Sequence, residues 1–388
     1  MPEQAPRLGN LHALALRLER AVDALRLRRK RRAGYAQPIA VQPHRGYGSI
    51  HRVHLHARVV EHRSLRAPTP HDRPWVNLVR SVKTLETDEV PRARVRVRFA
   101  GRERELVADD EGFLVTTFDA TGPGTPGHAF APGRPEVVYE LLEPHGKGQQ
   151  VTRFQGEVFI PSPAARWVIV SDVDDTVMHT QATSLVRMAV NTLFTNAYGR
   201  VAFPGVGAFY RALGAGPEGR DGRNPVFYLT SSPWGVYDLI ATFCDVNGLP
   251  PGPLIMRDLG LSRDHWFKSS HAAHKLRHVR ELLALYPDQR FILIGDTGQH
   301  DAEIYLQACR EAPGRVLAVY LRDVSRAAQR DSAVAAIAEE IRGLGVACVA
   351  AEDTVAHAEH AASQGWITEA DLSAVRGGTR KDKREGAG

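Results

Sequence analysis

At Pro161, Ser162 and Pro163 the rule that spaces the apolar residues changes, and this change limits what the chain can fold into. Before it, from about Ile50 to Ile160, apolar and polar residues alternate. Val53, Leu55 and Ala57 interleave with His54, His56 and Arg58, and Val95, Val97 and Phe99 with Arg94, Arg96 and Arg98. Shorter runs stand at Trp75 to Val79, Phe113 to Phe118, Val137 to Leu142 and Val151 to Ile160. A period of two belongs to half-buried antiparallel strands, and Gly- and Pro-rich loops such as Thr121 to Pro135 separate them. The spacing predicts an antiparallel β-sandwich or small barrel of about six or seven strands. The arginines at 94, 96 and 98 read as the wet face of a strand, with contact to anionic lipid or phosphate as the alternative.

After the boundary, continuous apolar strands alternate with helical stretches, the pattern of an α/β domain with a parallel sheet. Strands are expected at Trp167 to Ser171, Pro225 to Thr230, Pro253 to Met256, Arg290 to Gly295 and Arg315 to Tyr320, with a further one at Val346 to Ala350. Helices between them include Lys275 to Tyr286 and Asp301 to Arg310. The division expected is a basic amphipathic helix in 1–34, a β-rich domain in 35–160, an α/β domain in 161–375 and a basic tail in 376–388. The tail, with Arg380, Lys381, Lys383 and Arg384 among small residues, reads as disordered.

The chain has 388 residues, 43% of them hydrophobic, enough for two well-formed cores. Cys244, Cys309 and Cys348 lie far apart without metal-ligand spacing, so neither a disulfide framework nor a zinc site is expected, and a reducing cytoplasm fits. With no long apolar run, neither a membrane span nor a cleaved signal is expected, leaving a soluble or peripheral protein. The formal charge of +6 is carried by residues 1–33, where nine Arg or Lys meet only Glu3, Glu19 and Asp23. Such a distribution speaks against a surface built for nucleic acid. Residues 10–32, with Leu14, Leu18, Val22 and Leu25 at helical spacing before a cluster of arginines, read as an interfacial helix for an anionic membrane or as a helix packed on its own protein.

The candidate chemistry lies where apolar strands end, since ligands of open α/β sheets bind outside the carboxyl ends of the strands. Val168 to Val170 run into Asp172, Asp174 and Asp175, and three carboxylates within four positions suit a divalent cation beside a phosphate. The alternative is an acidic turn that caps a helix. Thr230, Ser231 and Ser232 end a second strand before a helix start, an arrangement that can cradle phosphate. Lys275 opens a helix, and Gly295-Asp296 ends another strand, with Asp301 five residues on. His274 and His278 have the spacing of metal ligands but no nearby acid of that motif, and read as solvated. Leu185, Met188, Ala189, Leu193 and Phe194 read as core packing, or as a cap over the site.

Together Asp-x-Asp-x-Thr, a strand-end Thr or Ser, a Lys and Gly-Asp-x4-Asp resemble the four motifs of the haloacid dehalogenase superfamily. SDVDDTV, the FPGV at 203–206, YLTSSPW, HK at 274–275 and LIGDTGQHDAEIY are similar to the catalytic domain of App1-type phosphatidate phosphatases, over roughly residues 160–325. The resemblance implies a Rossmann-like domain that hydrolyses phosphatidate to diacylglycerol and phosphate with Mg²⁺. It implies Asp172 as nucleophile, Asp174 as general acid and base, and Thr230 or its neighbour Ser231 with Lys275 on the phosphoryl oxygens. Mg²⁺ would be held by Asp172, the Asp174 carbonyl and Asp296, with Asp301 supporting the metal or replacing Asp296. Asp175 stands where this superfamily often has Gly, and reads as a helix cap. A phosphatase for soluble phosphomonoesters and a non-catalytic membrane- or protein-binding module are the competing readings.

Overall fold

The computed structural model describes residues 34–61, 88–121, 129–173, 205–219, 224–257, 271–298, 300–323 and 328–385. Among them are an antiparallel sheet and a parallel sheet, so the chain is of mixed α/β content. The expected basic helix of residues 10–32, the strand at Trp75 to Val79 and the helical stretch from Leu185 to Phe194 fall outside the described residues.

The first sheet has nine strands: β1 (Ile39–Pro43), β2 (Gly46–Gly48), β3 (Arg52–Glu61), β4 (Asp88–Glu89), β5 (Arg94–Phe99), β6 (Arg102–Val107), β7 (Phe113–Asp119), β8 (Glu136–Glu143) and β9 (Arg153–Phe159). They run in the order β1-β3-β2-β9-β8-β5-β6, with β4 and β7 also on β3. All pairs are antiparallel except β2 with β9. The alternation of period two does what it must: Val53, Leu55 and Ala57 of β3 and Val95, Val97 and Phe99 of β5 enter one shared core. The strand count exceeds the six or seven expected because β1, β2 and β4 are too short to show a period. Outside, Arg94, Arg96 and Arg98 meet Glu103, Glu105, Glu140 and Glu143 of the flanking strands. Carboxylates on neighbouring strands thus neutralise the arginine stripe.

The second sheet contains β10 (Trp167–Asp172), β11 (Val226–Pro233), β12 (Leu254–Arg257), β13 (Arg290–Asp296), β14 (Val316–Arg322) and β15 (Ala347–Ala351), all parallel, in the order β12-β11-β10-β13-β14-β15. Both faces are covered, which is why its strands read as unbroken apolar runs. Ile169, Tyr228, Ile292 and Tyr320 pack with helices α1 (Val206–Ala215), α2 (Tyr237–Val246), α6 (Thr354–Ser363) and α7 (Glu369–Glu385). Val168, Val170, Phe227 and Leu293 face the other way, toward α3 (His271–Leu285), α4 (Asp301–Glu311) and α5 (Ala328–Gly343). From β10 the chain builds one edge, and from β13 the other, so a crevice opens between their carboxyl ends. No helix among the described residues is long and apolar enough to cross a membrane.

The expected disordered tail is corrected: α7 continues through Glu385. Leu372, Val375 and Thr379 are buried along one helical face, and Gly205 lets this helix approach closely. A Cβ on Gly378 would lie 3.6 Å from the Gly205 Cα, and one on Gly205 would lie 2.3 Å from Thr379 Oγ1. His274 and His278 are likewise not solvated. Both are buried in α3 with ring centroids 4.4 Å apart, and His278 Nδ1 is 2.7 Å from Glu281 Oε2.

The two sheets meet through aromatic rings. His44 stacks on Trp234 at 4.9 Å and on Tyr237 at 4.1 Å, and His56 stacks on Trp234 at 4.6 Å. The Tyr237 hydroxyl accepts from the Arg45 N–H at 2.7 Å, and the Tyr286 hydroxyl donates to the Gly48 carbonyl at 2.9 Å.

Candidate active site

β10 ends in Asp172, lateral to Leu229 of β11, while its Ser171 lies lateral to Ile294 of β13. This register carries the polar residues that follow each strand to one edge of the sheet. Asp172 and Lys275 side chains are each only 3% exposed, and the ammonium sits 2.6 Å from Asp172 Oδ1. It also lies 2.9 Å from Oδ1 of Asp301, which is fully buried at the start of α4. A charge this deeply buried is tolerated only with partners, and here one cation joins two carboxylates more than 100 residues apart in sequence.

Asp301 is fixed on its other side by the Asp296 N–H, which donates to Oδ2 at 3.2 Å. Gly295 makes this approach possible, since a Cβ there would lie 2.5 Å from Asp301 Oδ2 and 2.8 Å from its Cβ. The Gly298 N–H donates to Asp296 Oδ1 at 2.7 Å, which turns the chain out of β13. Asp172, Asp296 and Asp301 can each place one carboxylate oxygen within 4.8 Å of the others. Three hard oxygen donors beside one ammonium form a pocket of opposed charges.

The hydroxyls of β11 differ in setting from the expectation. The strand runs on to Pro233 because it pairs again with Arg257 of β12 after a register shift, so Thr230, Ser231 and Ser232 lie within it and a 3₁₀ turn at Trp234–Val236 follows. Thr230 is buried and its Oγ1 accepts from the Ser232 N–H at 3.0 Å. Asp174 and Asp175 lie outside the described residues.

Several lining residues were not singled out from the sequence. The Tyr210 hydroxyl is 2.7 Å from Ser171 Oγ, and burial pushes its pKa up, so it stays protonated. A pocket opens beside Asp172 and Asp296 and is lined also by Phe209, Phe243, Arg322 and His357. Arg322, Thr354 and His357 stand at or just after the carboxyl ends of β14 and β15. The strand-end rule that selects Asp172 and Asp296 applies to them equally.

The fold and site therefore define an α/β domain with a carboxylate and lysine centre at the switch point of a parallel sheet. Its residues 167–323 match the family profile described as Phosphatidate phosphatase APP1, catalytic domain. The resemblance carried by the motifs is thus found over the segment from β10 to β14. Phosphatidate phosphatase APP1 of Saccharomyces cerevisiae is 29% identical over 155 residues, covering 40% of this chain and 25% of that protein. An uncharacterized protein of Schizosaccharomyces pombe is 24% identical over 157 residues, with the same shares, 40% and 25%. The chain thus aligns with about a quarter of the length of these curated relatives. Among solved structures, a carbohydrate acetylesterase from Xanthomonas citri aligns at 12% identity and a TM-score of 0.26, over 79% of this chain and 66% of that one. An overlap that low carries no argument here.

Proposed function

We propose that the chain is an Mg²⁺-dependent phosphatidate phosphatase that works through an aspartyl-phosphate on Asp172. The observation that carries this reading is the buried Lys275 bridging Asp172 and Asp301 beside Asp296, inside the segment that matches the phosphatidate phosphatase catalytic domain. The strand order supports a Rossmann-like domain of the haloacid dehalogenase type, because it runs third, second, first, fourth, fifth, sixth across the sheet.

The donor set fits a hard divalent cation, since Asp172, Asp296 and Asp301 offer only carboxylate oxygens close together. Those residues, with the Asp174 carbonyl, would hold Mg²⁺, which supplies charge neutralisation for an anionic nucleophile meeting an anionic phosphate. The Asp172 carboxylate attacks phosphorus in line, forming the acyl-phosphate bond as the bond to the glycerol oxygen breaks. Asp174 gives its proton to the departing alkoxide, then takes one from the water that hydrolyses the aspartyl-phosphate. Lys275 keeps Asp172 ionised and oriented before substrate arrives, then meets the phosphoryl oxygens. The hydroxyls of Thr230 and Ser231, in the last residues of β11 before the Trp234 corner, complete the phosphate cradle. The basic segment 10–32 serves as the adhesive for an anionic membrane surface.

The test is phosphate release from phosphatidate dispersed in vesicles, compared with a panel of soluble phosphomonoesters, with Mg²⁺ and with chelator. Release from phosphatidate that chelator stops is the expected outcome. Turnover of a soluble ester with none from phosphatidate would overturn the lipid assignment and favour the soluble-substrate reading.

A further inference from the structure

The pocket beside Asp172 is lined by two kinds of side chain. Phe209, Phe243 and Leu249 present hydrocarbon, whereas Arg322, Thr354 and His357 are polar, and the rings of Phe209 and His357 touch at 6.4 Å between centroids. Arg322 ends β14 directly lateral to Asp296, and its Nη1 donates to Thr354 Oγ1 at 3.3 Å. Thr354 and His357 begin α6 and are buried, 2% and 4% exposed. Nε2 of His357 has no hydrogen-bond partner among the described residues. A buried ring nitrogen left in that state is costly, and it is expected where a ligand or bound water completes it. Burial lowers the Arg322 pKa to about 10, despite the opposing pulls of Tyr210 and Asp353. The guanidinium is thus charged at neutral pH but poorly hydrated, a condition that favours an oxygen acceptor.

Two of these polar residues stand outside the segment that carries the phosphoryl chemistry, and Arg322 stands just inside its end. The match to the catalytic-domain family ends at residue 323, so Thr354 and His357 belong to the β15 and α6 extension beyond it. Side chains added to a shared centre from outside the shared segment act on what distinguishes one substrate from another. Next to a scissile phosphate, a lining that joins polar and apolar side chains suits a leaving group that is itself amphipathic.

We propose that Arg322, aligned by Thr354 and with His357 beside it, binds the ester carbonyl oxygens next to the phosphate of a diacyl lipid, whose first acyl carbons lie against Phe209, Phe243 and Leu249. This rests on the phosphatidate reading. Arg322 and His357 are specificity residues in this assignment: Arg322 donates to a carbonyl oxygen, and His357 Nε2 accepts from a water that donates its other hydrogen to the second ester group.

Three substrates separate the possibilities: phosphatidate, its dialkyl ether analogue without carbonyls, and p-nitrophenyl phosphate. The full chain is expected to prefer the diester over the diether by about tenfold in kcat/KM, the size of one charged hydrogen bond. In Arg322→Met and His357→Leu that ratio falls toward one, chiefly through KM, and Arg322→Lys, which keeps the charge without the fork, lies between. Equal turnover of diester and diether by the unaltered chain overturns the subsite while leaving the phosphatidate reading intact. Equal losses on all three substrates in Arg322→Met and Arg322→Lys overturn it too, and place Arg322 on the transferred phosphate. Turnover of p-nitrophenyl phosphate with none of either lipid sinks the phosphatidate reading, and the subsite with it.

Discussion

Nothing local marks Lys275 as buried, since it follows His274 near the start of α3, where a lysine ordinarily reaches solvent. Its burial follows from Asp172 and Asp301, which approach from distant parts of the chain. Removing the ammonium leaves two carboxylates buried together. Lys275→Met is therefore expected to lose about 3–5 kcal/mol in the absence of divalent cation, a fall in melting temperature on the order of 10 °C. A thermal melt in chelator checks this, and a variant that melts with the unaltered chain would refute it. Gly295→Ala should push Asp301 away from the Asp296 N–H, lowering kcat/KM by about 10²-fold with the circular dichroism spectrum preserved. His357 gives a pH signature. Burial lowers its pKa to about 4, with Arg322 pushing the same way and Asp353 and the carbonyls of Leu321 and Val349 pulling against. The folded state keeps the ring neutral where the unfolded chain takes up a proton near pH 6.5. Stability is thus full above that pH and declines as pH falls toward 4. Urea melts at pH 7 and pH 4.5 should show a smaller acid loss in His357→Gln than in the unaltered chain.

At the scale of elements, the 3₁₀ turn that begins with Trp234 joins the strand carrying Thr230 and Ser231 to the β-rich part of the chain. Trp234 stacks with both His44 and His56, one proline after the hydroxyls of β11. Trp234→Ala is expected to cost about 3–5 kcal/mol and to raise KM through a loosened turn, read by melting and by steady-state kinetics together. An unchanged KM with lowered stability would confine Trp234 to packing. This joint was not legible in the sequence, because stacking between residues 44, 56 and 234 leaves no periodic trace. The strands themselves were. Runs such as Val168 to Val170 and Phe291 to Ile294 are apolar at every position because helices cover both faces, and that pattern survives without any knowledge of partners. Their ends were read less well. β11 continues past Thr230 only because β12 pairs with it again at Pro233, and α7 persists past Gly377 only because α1 offers Gly205 for close approach. Asp172, Asp296 and Asp301 were legible because, together with Lys275 and the hydroxyls at the end of the second strand, they compose four motifs in order, whereas any one acidic turn alone reads equally as a helix cap. Arg322 and His357 obey the strand-end rule but stand outside the four motifs that drew attention to the acids.

For the whole molecule, one sheet edge explains the site. The strand order turns at β10 and β13, and the crevice there receives Asp172 from one strand, Asp296 from the other, and Lys275 and Asp301 from α3 and α4 on the same face. The β-rich sheet supplies no carboxylate to this centre among the described residues. All of the proposed chemistry passes through the Asp172 carboxylate. The most direct measurement is Mg²⁺-dependent phosphate release from phosphatidate vesicles by Asp172→Asn beside the unaltered chain, with a thermal melt of each. The expected result is release by the unaltered chain and none above background by a variant that remains folded. Release by folded Asp172→Asn at a rate near that of the unaltered chain would contradict the account.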